Sequence, residues 1–264
     1  MLGIIKKTGL ALIAVSAVTL AANVASASEG PELEHANWSF DGPFGTYNRA
    51  ELQRGFQIYK EVCSACHSLK RIAFRDLGDL GFNKAEVKAL AAGYQVTDGP
   101  NKEGDMFQRP AKPSDHIPGP FPNEEAARAA NGGALPPDLS LVAKSREGGP
   151  DYIHGILTGF IDPPAGFVMV PGKFYNRVFP GHNISMPPPL SADQVEYADG
   201  TKATLDQEAH DVSAFLMWAA EPKLEQRHEL GLKVMIYMGL FTILLYFVKK
   251  KVWADVDKKK SKKA

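Results

Sequence analysis

The two cysteines of this 264-residue chain lie three positions apart, and a histidine directly follows the second, in the motif Cys63-Ser64-Ala65-Cys66-His67. This is the attachment pattern of a c-type haem, in which two thiols form thioether bonds to the porphyrin vinyl groups and the imidazole binds the iron. A thiol–disulfide site, half of a zinc site and a chance match are the alternatives. Haem is favoured because a zinc site needs further Cys or His at paired spacing, and the sequence has no second CxxC and no HxxxH.

The first residues have the pattern of an export signal. Lys6-Lys7 forms a short basic region, Leu10 to Ala22 is apolar, and Ala25-Ser26-Ala27 supplies small residues at a cleavage site. An N-terminal membrane anchor is the alternative, but the apolar run is shorter than the ~20 residues that a span needs. We therefore expect residues 1–27 to be a cleaved signal peptide. Export agrees with the haem motif, since bacteria attach c-type haem outside the cytoplasm, and attachment leaves no thiol to form a disulfide.

A second apolar segment runs from Leu230 to Val248. Its 19 residues, at 1.5 Å each, cover nearly the ~30 Å hydrocarbon core of a bilayer, and we expect a transmembrane anchor helix over residues 229–249. A buried core helix is the alternative. The Lys-rich residues 250–264 belong on the cytoplasmic side by the positive-inside rule. The sequence thus predicts a bacterial inner-membrane protein whose haem domain, residues 28–228, lies in the periplasm.

The formal net charge of zero conceals an uneven distribution. Between Glu29 and His228 there are 27 acidic and 19 basic side chains, a net charge of −8, whereas the chain after Val248 has a net charge of +6. An acidic head favours a basic partner and argues against nucleic acid. Ordinary solubility is the alternative explanation.

Helical periodicity is clear in two places. The pattern predicts a helix over Tyr47 to Leu69 that leads into the haem motif, with Gly55, Phe56 and Tyr59 on one face. It predicts a second helix over Leu205 to Ala220, capped by Thr204. Small residues on both helices would allow their backbones to cross closely.

The middle of the head is rich in proline and glycine. Asp98 to Asn123 is expected to form a long loop or insertion, and the Asp-Gly pair in Val195 to Thr201 is a weak hairpin signal. The predicted fold class is mainly α: a cytochrome c-like haem domain with long Pro/Gly-rich insertions and a small β-hairpin, plus one C-terminal transmembrane helix.

A haem that only transfers electrons needs a second axial ligand, here sought among Met106, Met169, Met186, Met217 and the six histidines outside the motif. Met186 is favoured because prolines stiffen its loop, Pro180 to Pro189, so that little entropy is lost on ligation. His182 is the rival. Sulfur ligation favours reduced iron and raises the reduction potential.

Beyond the haem motif, the chain resembles the cytochrome c1 family, the haem subunits of cytochrome bc1 complexes. The resemblance follows the order of the family over nearly the whole mature chain. It rests on Asp98–Asn101, Met106–Pro110, Glu125–Ser140, Gly148–Tyr152, Thr158–Phe160, Asp162–Pro164, Phe179–Gly181, Met186–Pro188, Phe215–Pro222 and the anchor.

The resemblance implies roles for eight positions: covalent attachment of one haem c to Cys63 and Cys66, iron ligation by His67 and Met186, contact with the haem propionates by Arg146 and Tyr152, and the pocket wall at Asn131 and Pro137. A solvated surface arginine is the alternative for Arg146. Some bacterial relatives carry an extra cysteine pair that this chain lacks, so the Met186 loop must owe its rigidity to packing and proline.

The resemblance also implies a function. Electrons from quinol would pass through a Rieske iron–sulfur protein to this haem and then to a soluble or anchored cytochrome c, with cytochrome b as a further partner in a dimeric complex. The chain would not be catalytic by itself, and we nominate no catalytic residue.

Two other functions compete with this hypothesis. A free-standing, membrane-anchored electron shuttle would have the same haem and anchor but a long flexible linker, whereas Pro222 to Glu229 is short and charged. The other is a haem peroxidase or a cytochrome oxidase subunit; a peroxidase would need an open distal site or a second CxxCH motif, and the chain has one motif.

Overall fold

The computed structural model describes residues 33–261, with side chains through residue 254, so the predicted signal peptide lies outside the described residues. The described chain is mainly helical, with two short two-stranded antiparallel sheets, which confirms the predicted fold class. The α-helices are α1 (Arg49–Glu61), α2 (Lys84–Ala92), α3 (Glu124–Ala130), α4 (Val142–Ser145), α5 (Gly149–Thr158), α6 (Leu205–Ala220) and α7 (Leu224–Ser261). The strands are β1 (Gln95–Asp98), β2 (Phe107–Pro110), β3 (Phe174–Tyr175) and β4 (Asn183–Ile184), and 3₁₀ helices cover Cys63–Ala65 and Phe74–Leu80.

The main core forms where α1 crosses α6, with α4 and α5 packed against α6. Gly55 makes the crossing possible, because a Cβ atom at this position would lie 2.1 Å from the Asp211 carbonyl oxygen. Phe56, Tyr59 and Phe215 fill the space around the crossing and are almost fully buried. The predicted close approach of the two helices is confirmed.

Helix α6 has the predicted bounds and the predicted cap. The Thr204 hydroxyl accepts the Gln207 N–H at 3.1 Å, and Glu221 ends the helix. The predicted first helix is too long, because α1 ends at Glu61 instead of Leu69. The physical reason is the turn of the haem motif, in which the Cys63 carbonyl accepts the N–H groups of Cys66 (3.1 Å) and His67 (2.8 Å).

The predicted hairpin at Val195–Thr201 is wrong. The segment contains a turn in which the Gly200 N–H donates to the Tyr197 carbonyl at 3.1 Å, and it forms no strand. Val195 and Tyr197 are buried as their alternation suggests, but the backbone of this segment pairs with side chains of neighbouring helices. Gln57 of α1 donates to the Glu196 carbonyl at 3.1 Å, for example.

A hairpin forms at the start of Asp98–Asn123, the segment that the sequence predicts as a loop; β2 lies within it, and β1 ends at its first residue. Strands β1 and β2 pair antiparallel, with Asp98 opposite Phe107. Arg109 ties this hairpin to the following loop, since its guanidinium binds Asp98 and lies 2.6 Å from Asp115. Side-chain pairing across loops of this kind is not visible in local sequence patterns.

Helix α7 contains the predicted anchor. Among the residues that the structure describes, its portion Leu224–Ala254 is the one stretch of helix long and apolar enough to cross a membrane. The apolar side chains from Leu230 to Val248 are exposed. Such a surface is stable in lipid, where the chain would be surrounded by apolar tails.

Candidate haem-binding site

The CxxCH motif follows α1 directly, as a short 3₁₀ turn at the edge of the main core. Cys63 is half-buried against this core, Cys66 is exposed, and the two form no disulfide. Burial raises the pKa of the Cys63 thiol to about 12. A thiol–disulfide centre requires the opposite shift, since its reactive cysteine has a lowered pKa. The microenvironment therefore argues against the redox-thiol alternative.

The imidazole of His67 is oriented by a main-chain carbonyl. Its Nδ1 lies 2.8 Å from the Pro137 oxygen, which can only accept, so Nδ1 carries the proton and Nε2 has the lone pair. Burial lowers the pKa of His67, against the opposing influence of that carbonyl and of Asp138. The neutral ring with a defined tautomer is the form that binds a metal ion, and a hydrogen bond to its other nitrogen is the usual support.

Asp138 supports the loop that carries this carbonyl. Its carboxylate accepts hydrogen bonds from the Ser68 hydroxyl (2.8 Å), the Lys70 N–H (2.9 Å) and the Ser140 N–H (3.0 Å). Desolvation alone would raise the pKa of Asp138, but these donors outweigh it and the pKa is lowered. The loop after the motif and the Pro137 loop are thus fixed together. The sequence analysis missed Asp138, although an Asp two residues before a Ser is a recognised turn signal.

Met186, the predicted second ligand, lies two residues after β4. It is half-buried and packs with Phe160 and Tyr152 against a small second hydrophobic cluster formed by Ile156, Val178 and Ile184. The structure thus brings Met186 together with Tyr152, one of the residues predicted near the haem propionates.

Arg146 and Tyr152 lie close enough to interact. Arg146 ends α4 and its side chain is exposed. Burial raises the pKa of Tyr152, and the positive charge of Arg146 partly offsets this. A cation in the neighbourhood of a phenol hydroxyl is suited to a carboxylate partner.

Asn131 has a local role in the structure. It ends α3, and its side-chain amide donates to the Ala127 carbonyl at 2.7 Å. Among the described residues, its hydrogen bonds join it to none of the other predicted site residues.

The rival ligands have other environments. The Nδ1 of His182 donates to the Asn176 carbonyl at 3.0 Å, and its ring stacks on Tyr175 with centroids 5.4 Å apart. Met106 is exposed, and Met217 packs against the main core. Met169 lines a cleft of about 590 Å³ that Pro188 also borders.

These observations fit a haem. The two thiols carry no disulfide, the histidine presents a neutral nitrogen, and a thioether loop packs beside an apolar cluster. A mainly helical domain with such a motif is a c-type cytochrome.

Comparison with known proteins gives the family. Residues 38–256 match the model of the Cytochrome C1 family, and the chain belongs to this family. It is 48% identical to "Cytochrome c1" of Rhodospirillum rubrum, over 93% of this chain and 97% of the relative. It is also 48% identical to "Cytochrome b/c1" of Bradyrhizobium diazoefficiens, over 95% of this chain but only 40% of that longer protein. "Cytochrome b-c1 complex catalytic subunit, mitochondrial" of Candida albicans is 49% identical, over 85% of this chain and 78% of the relative.

Members of the family carry covalently bound haem c and act in electron transport. The predicted cofactor and the predicted electron-transfer function are therefore confirmed.

Proposed function

We propose that this chain is the haem-bearing subunit of a quinol–cytochrome c oxidoreductase, a cytochrome bc1 complex. It would receive electrons from a Rieske iron–sulfur protein, stand beside cytochrome b, and reduce a soluble or anchored cytochrome c. Support comes from the family and from relatives that are named for the complex or combine cytochrome b and c1 in one name. A dimeric complex is part of the proposal.

The proposed site has two halves. Cys63 and Cys66 would hold the haem covalently, and His67 would bind the iron through Nε2. Met186 would supply a thioether sulfur as a second protein ligand of the iron. Haem supplies a one-electron couple of the iron, and thioether ligation sets its reduction potential high. The chain's own residues therefore hold and tune a relay, and no general acid, base or nucleophile is required.

Arg146 and Tyr152 complete the proposal at the edge of the haem. A guanidinium and a phenol hydroxyl would bind a propionate and reduce the cost of bringing that charge into the domain. Pro137 contributes the carbonyl that orients His67, while the contact of Asn131 with the haem would be through packing.

The membrane arrangement follows from α7. We infer that residues 229–249 span the bacterial inner membrane, that residues 28–228 lie in the periplasm after removal of residues 1–27, and that residues 250–264 lie in the cytoplasm. The lysines that follow the apolar segment support this orientation.

One observation distinguishes a fixed subunit from a tethered shuttle: the head is fastened to the first turns of α7. The Glu225 carboxylate binds the Arg49 guanidinium at 2.7 Å and the Tyr47 N–H at 2.8 Å. Leu224 is buried in the main core, and His228 Nδ1 lies 3.3 Å from the Gly45 carbonyl. A shuttle needs a flexible linker, whereas only Glu221–Lys223 separates α6 from α7. The head is therefore held at one place relative to the anchor.

The test is purification of the full-length chain, tagged at its C-terminus, from membranes solubilised in a mild detergent. We expect cytochrome b and a Rieske protein to co-purify in constant ratio, together with quinol-dependent reduction of cytochrome c. Recovery of the haem protein alone, still fully able to carry electrons between membrane donor and acceptor, would contradict the proposal and support a shuttle.

A further inference from the structure

Asn176 is a fully buried polar residue that the haem-site predictions do not include. Its side-chain amide donates to the Ile156 carbonyl at 2.7 Å, and its side-chain oxygen accepts the N–H groups of Val178 (3.0 Å) and Phe179 (3.1 Å). A single side chain thus connects the end of α5 with the chain that leads towards Met186.

The main chain of Asn176 makes a second connection, to the loop just before Met186. Its N–H donates to the His182 carbonyl, and its carbonyl accepts from His182 Nδ1, both at 3.0 Å. His182 adopts the left-handed conformation (φ 57°) four residues before Met186. This paired contact holds an uncommon backbone conformation in place.

The connection to α5 satisfies a group that the helix leaves unpaired. Ile156 lies in the last turn of α5, where main-chain carbonyls have no partner within the helix. The two segments are in close contact, since a Cβ atom on Gly159 would lie 3.0 Å from Asn176 Oδ1. Loss of the amide would leave a buried carbonyl without a donor, which is the costly way to lose a hydrogen bond.

The elements joined in this way are those that surround Met186. Ile156 from α5, Val178 from the segment after Asn176 and Ile184 from β4 form the cluster against which Met186 packs. Strand β4 is itself paired with β3, with Phe174 opposite Ile184. The position of the thioether therefore depends on the junction at Asn176.

We propose that Asn176 is the positioning residue for Met186, fixing the loop so that the thioether stays on the iron. The inference rests on the proposed function, in which Met186 is the axial ligand. A thioether is a weak ligand, so ligation depends on how little conformational freedom the loop loses. Since sulfur favours reduced iron, a loosened loop releases the oxidised iron first and lowers the reduction potential.

Two variants remove the junction to different degrees. Asn176→Asp keeps the size of the side chain and an acceptor for Val178 and Phe179, but loses the donor to Ile156. Asn176→Ala removes both. Asn83→Ala is the matched control, because it deletes a side-chain cap of α2 (hydrogen bonds of 2.9 and 3.0 Å to the N–H groups of Ala85 and Glu86) without touching the Met186 loop.

Each variant is purified as the detergent-solubilised complex, and three readouts are taken: the haem midpoint potential, the methionine-to-iron charge-transfer band of the ferric haem, and carbon monoxide binding by the ferrous haem. For both Asn176 variants we expect at least a tenfold fall in the equilibrium constant for reduction, which is about 59 mV for one electron. The band should weaken and carbon monoxide should bind, whereas Asn83→Ala should match the wild type in all three.

Should the Asn176 variants fail to accumulate, His182→Phe tests the same junction at a half-buried position. It keeps an aromatic ring on Tyr175 and loses the Nδ1 bond to the Asn176 carbonyl, and we expect changes of the same sign but smaller size.

The outcomes separate this inference from the proposed function. Met186→Leu is measured alongside these variants. If it changes the three readouts while the Asn176 variants leave them unchanged, the inference is overturned. If only His182→Phe folds, unchanged readouts in that variant overturn the inference in the same way. Equal changes in Asn83→Ala overturn it too, since they would reflect general destabilisation. If Met186→Leu itself has no effect, the ligand assignment in the proposed function fails instead.

Discussion

At the scale of single residues, the side chains proposed as iron ligands are oriented by hydrogen bonds of residues that are not themselves proposed ligands. The Pro137 carbonyl holds Nδ1 of His67, and Asp138 ties the surrounding loops together. The Asn176 junction acts on the Met186 loop in the same manner. Hydrogen bonds of this kind fix the loops that carry the proposed ligands.

A partly buried ion pair between α1 and α6 predicts a pH dependence of stability. His210 on α6 lies 2.8 Å from a Glu51 carboxylate oxygen on α1, and Trp38 stacks on the imidazole. The nearby Glu51 carboxylate raises the pKa of His210, against desolvation, which lowers it; Asp211 and Asp206 also raise it. Stability from this pair is therefore present below the unfolded value of ~6.5 and is lost as pH rises through the raised pKa.

The comparison that checks this is thermal unfolding of wild type and His210→Gln across pH 5 to about 9, the range in which histidine titrates. The wild type should have its largest advantage in melting temperature at the acid end, and the advantage should shrink as pH rises. An advantage that is constant with pH, or grows towards alkaline pH, would show that the pair is not an ionic one.

Sequence spacing can identify site residues whose functional partners lie close to them in the sequence. The haem motif places two thiols and an imidazole within five positions, so Cys63 and His67 are readable from the sequence. Asn176 was not, because its helix partner Ile156 lies 20 positions away and its role exists only once α5 and the Met186 loop have packed. The same holds for Asp138, whose partner Ser68 lies 70 positions away.

At the scale of elements, the α1–α6 crossing is the feature that brings the haem motif to the core. A methyl group on Gly55 would lie 2.1 Å from the Asp211 carbonyl and 2.6 Å from Phe215 Cβ. We expect Gly55→Ala to cost about 2 kcal/mol or more of folding free energy, because main-chain atoms must move apart. For a domain of this size that corresponds to a fall of roughly 4–8 °C in melting temperature.

Gly78→Ala is the control for this prediction, since a Cβ atom there meets nothing within 4 Å and the residue has no positive φ. Its melting temperature should equal that of the wild type or rise slightly, through the lower entropy of the unfolded chain. Equal melting temperatures for Gly55→Ala and the wild type would mean that the helices do not cross closely.

The bounds of a helix could be predicted where a recognisable capping or terminating residue marks its end. Helix α6 has Thr204 at one end and Glu221-Pro222 at the other, and its limits were correct. Helix α1 ends where the Cys63 carbonyl binds the two N–H groups of the haem turn, and no cap residue marks that point. The hairpin signal of Val195–Thr201 failed because alternation reports burial, whereas strand formation needs a partner strand.

At the scale of the whole molecule, the head has an excess of negative charge. Residues 29–228 carry a net −8, which would attract a basic cytochrome c and raise its association rate. Because salt screens such attraction beyond about 10 Å at 0.1 M ionic strength, reduction of a basic acceptor should slow as ionic strength rises. Stopped-flow measurement over a salt series checks this, with an acidic cytochrome c as the control. A rate that does not depend on salt would refute steering.

The central claim is that Met186 closes the haem opposite His67 and makes the chain an electron carrier with a raised potential. The most direct measurement is the midpoint potential of Met186→Leu or Met186→Lys in the purified complex, with Met169→Leu as the control from the neighbouring cleft. We predict a fall of hundreds of millivolts for the Met186 variants, within the ~0.8 V that axial ligands span, and no change for the control. An unchanged potential in the Met186 variants, or a comparable fall in Met169→Leu, would contradict the account.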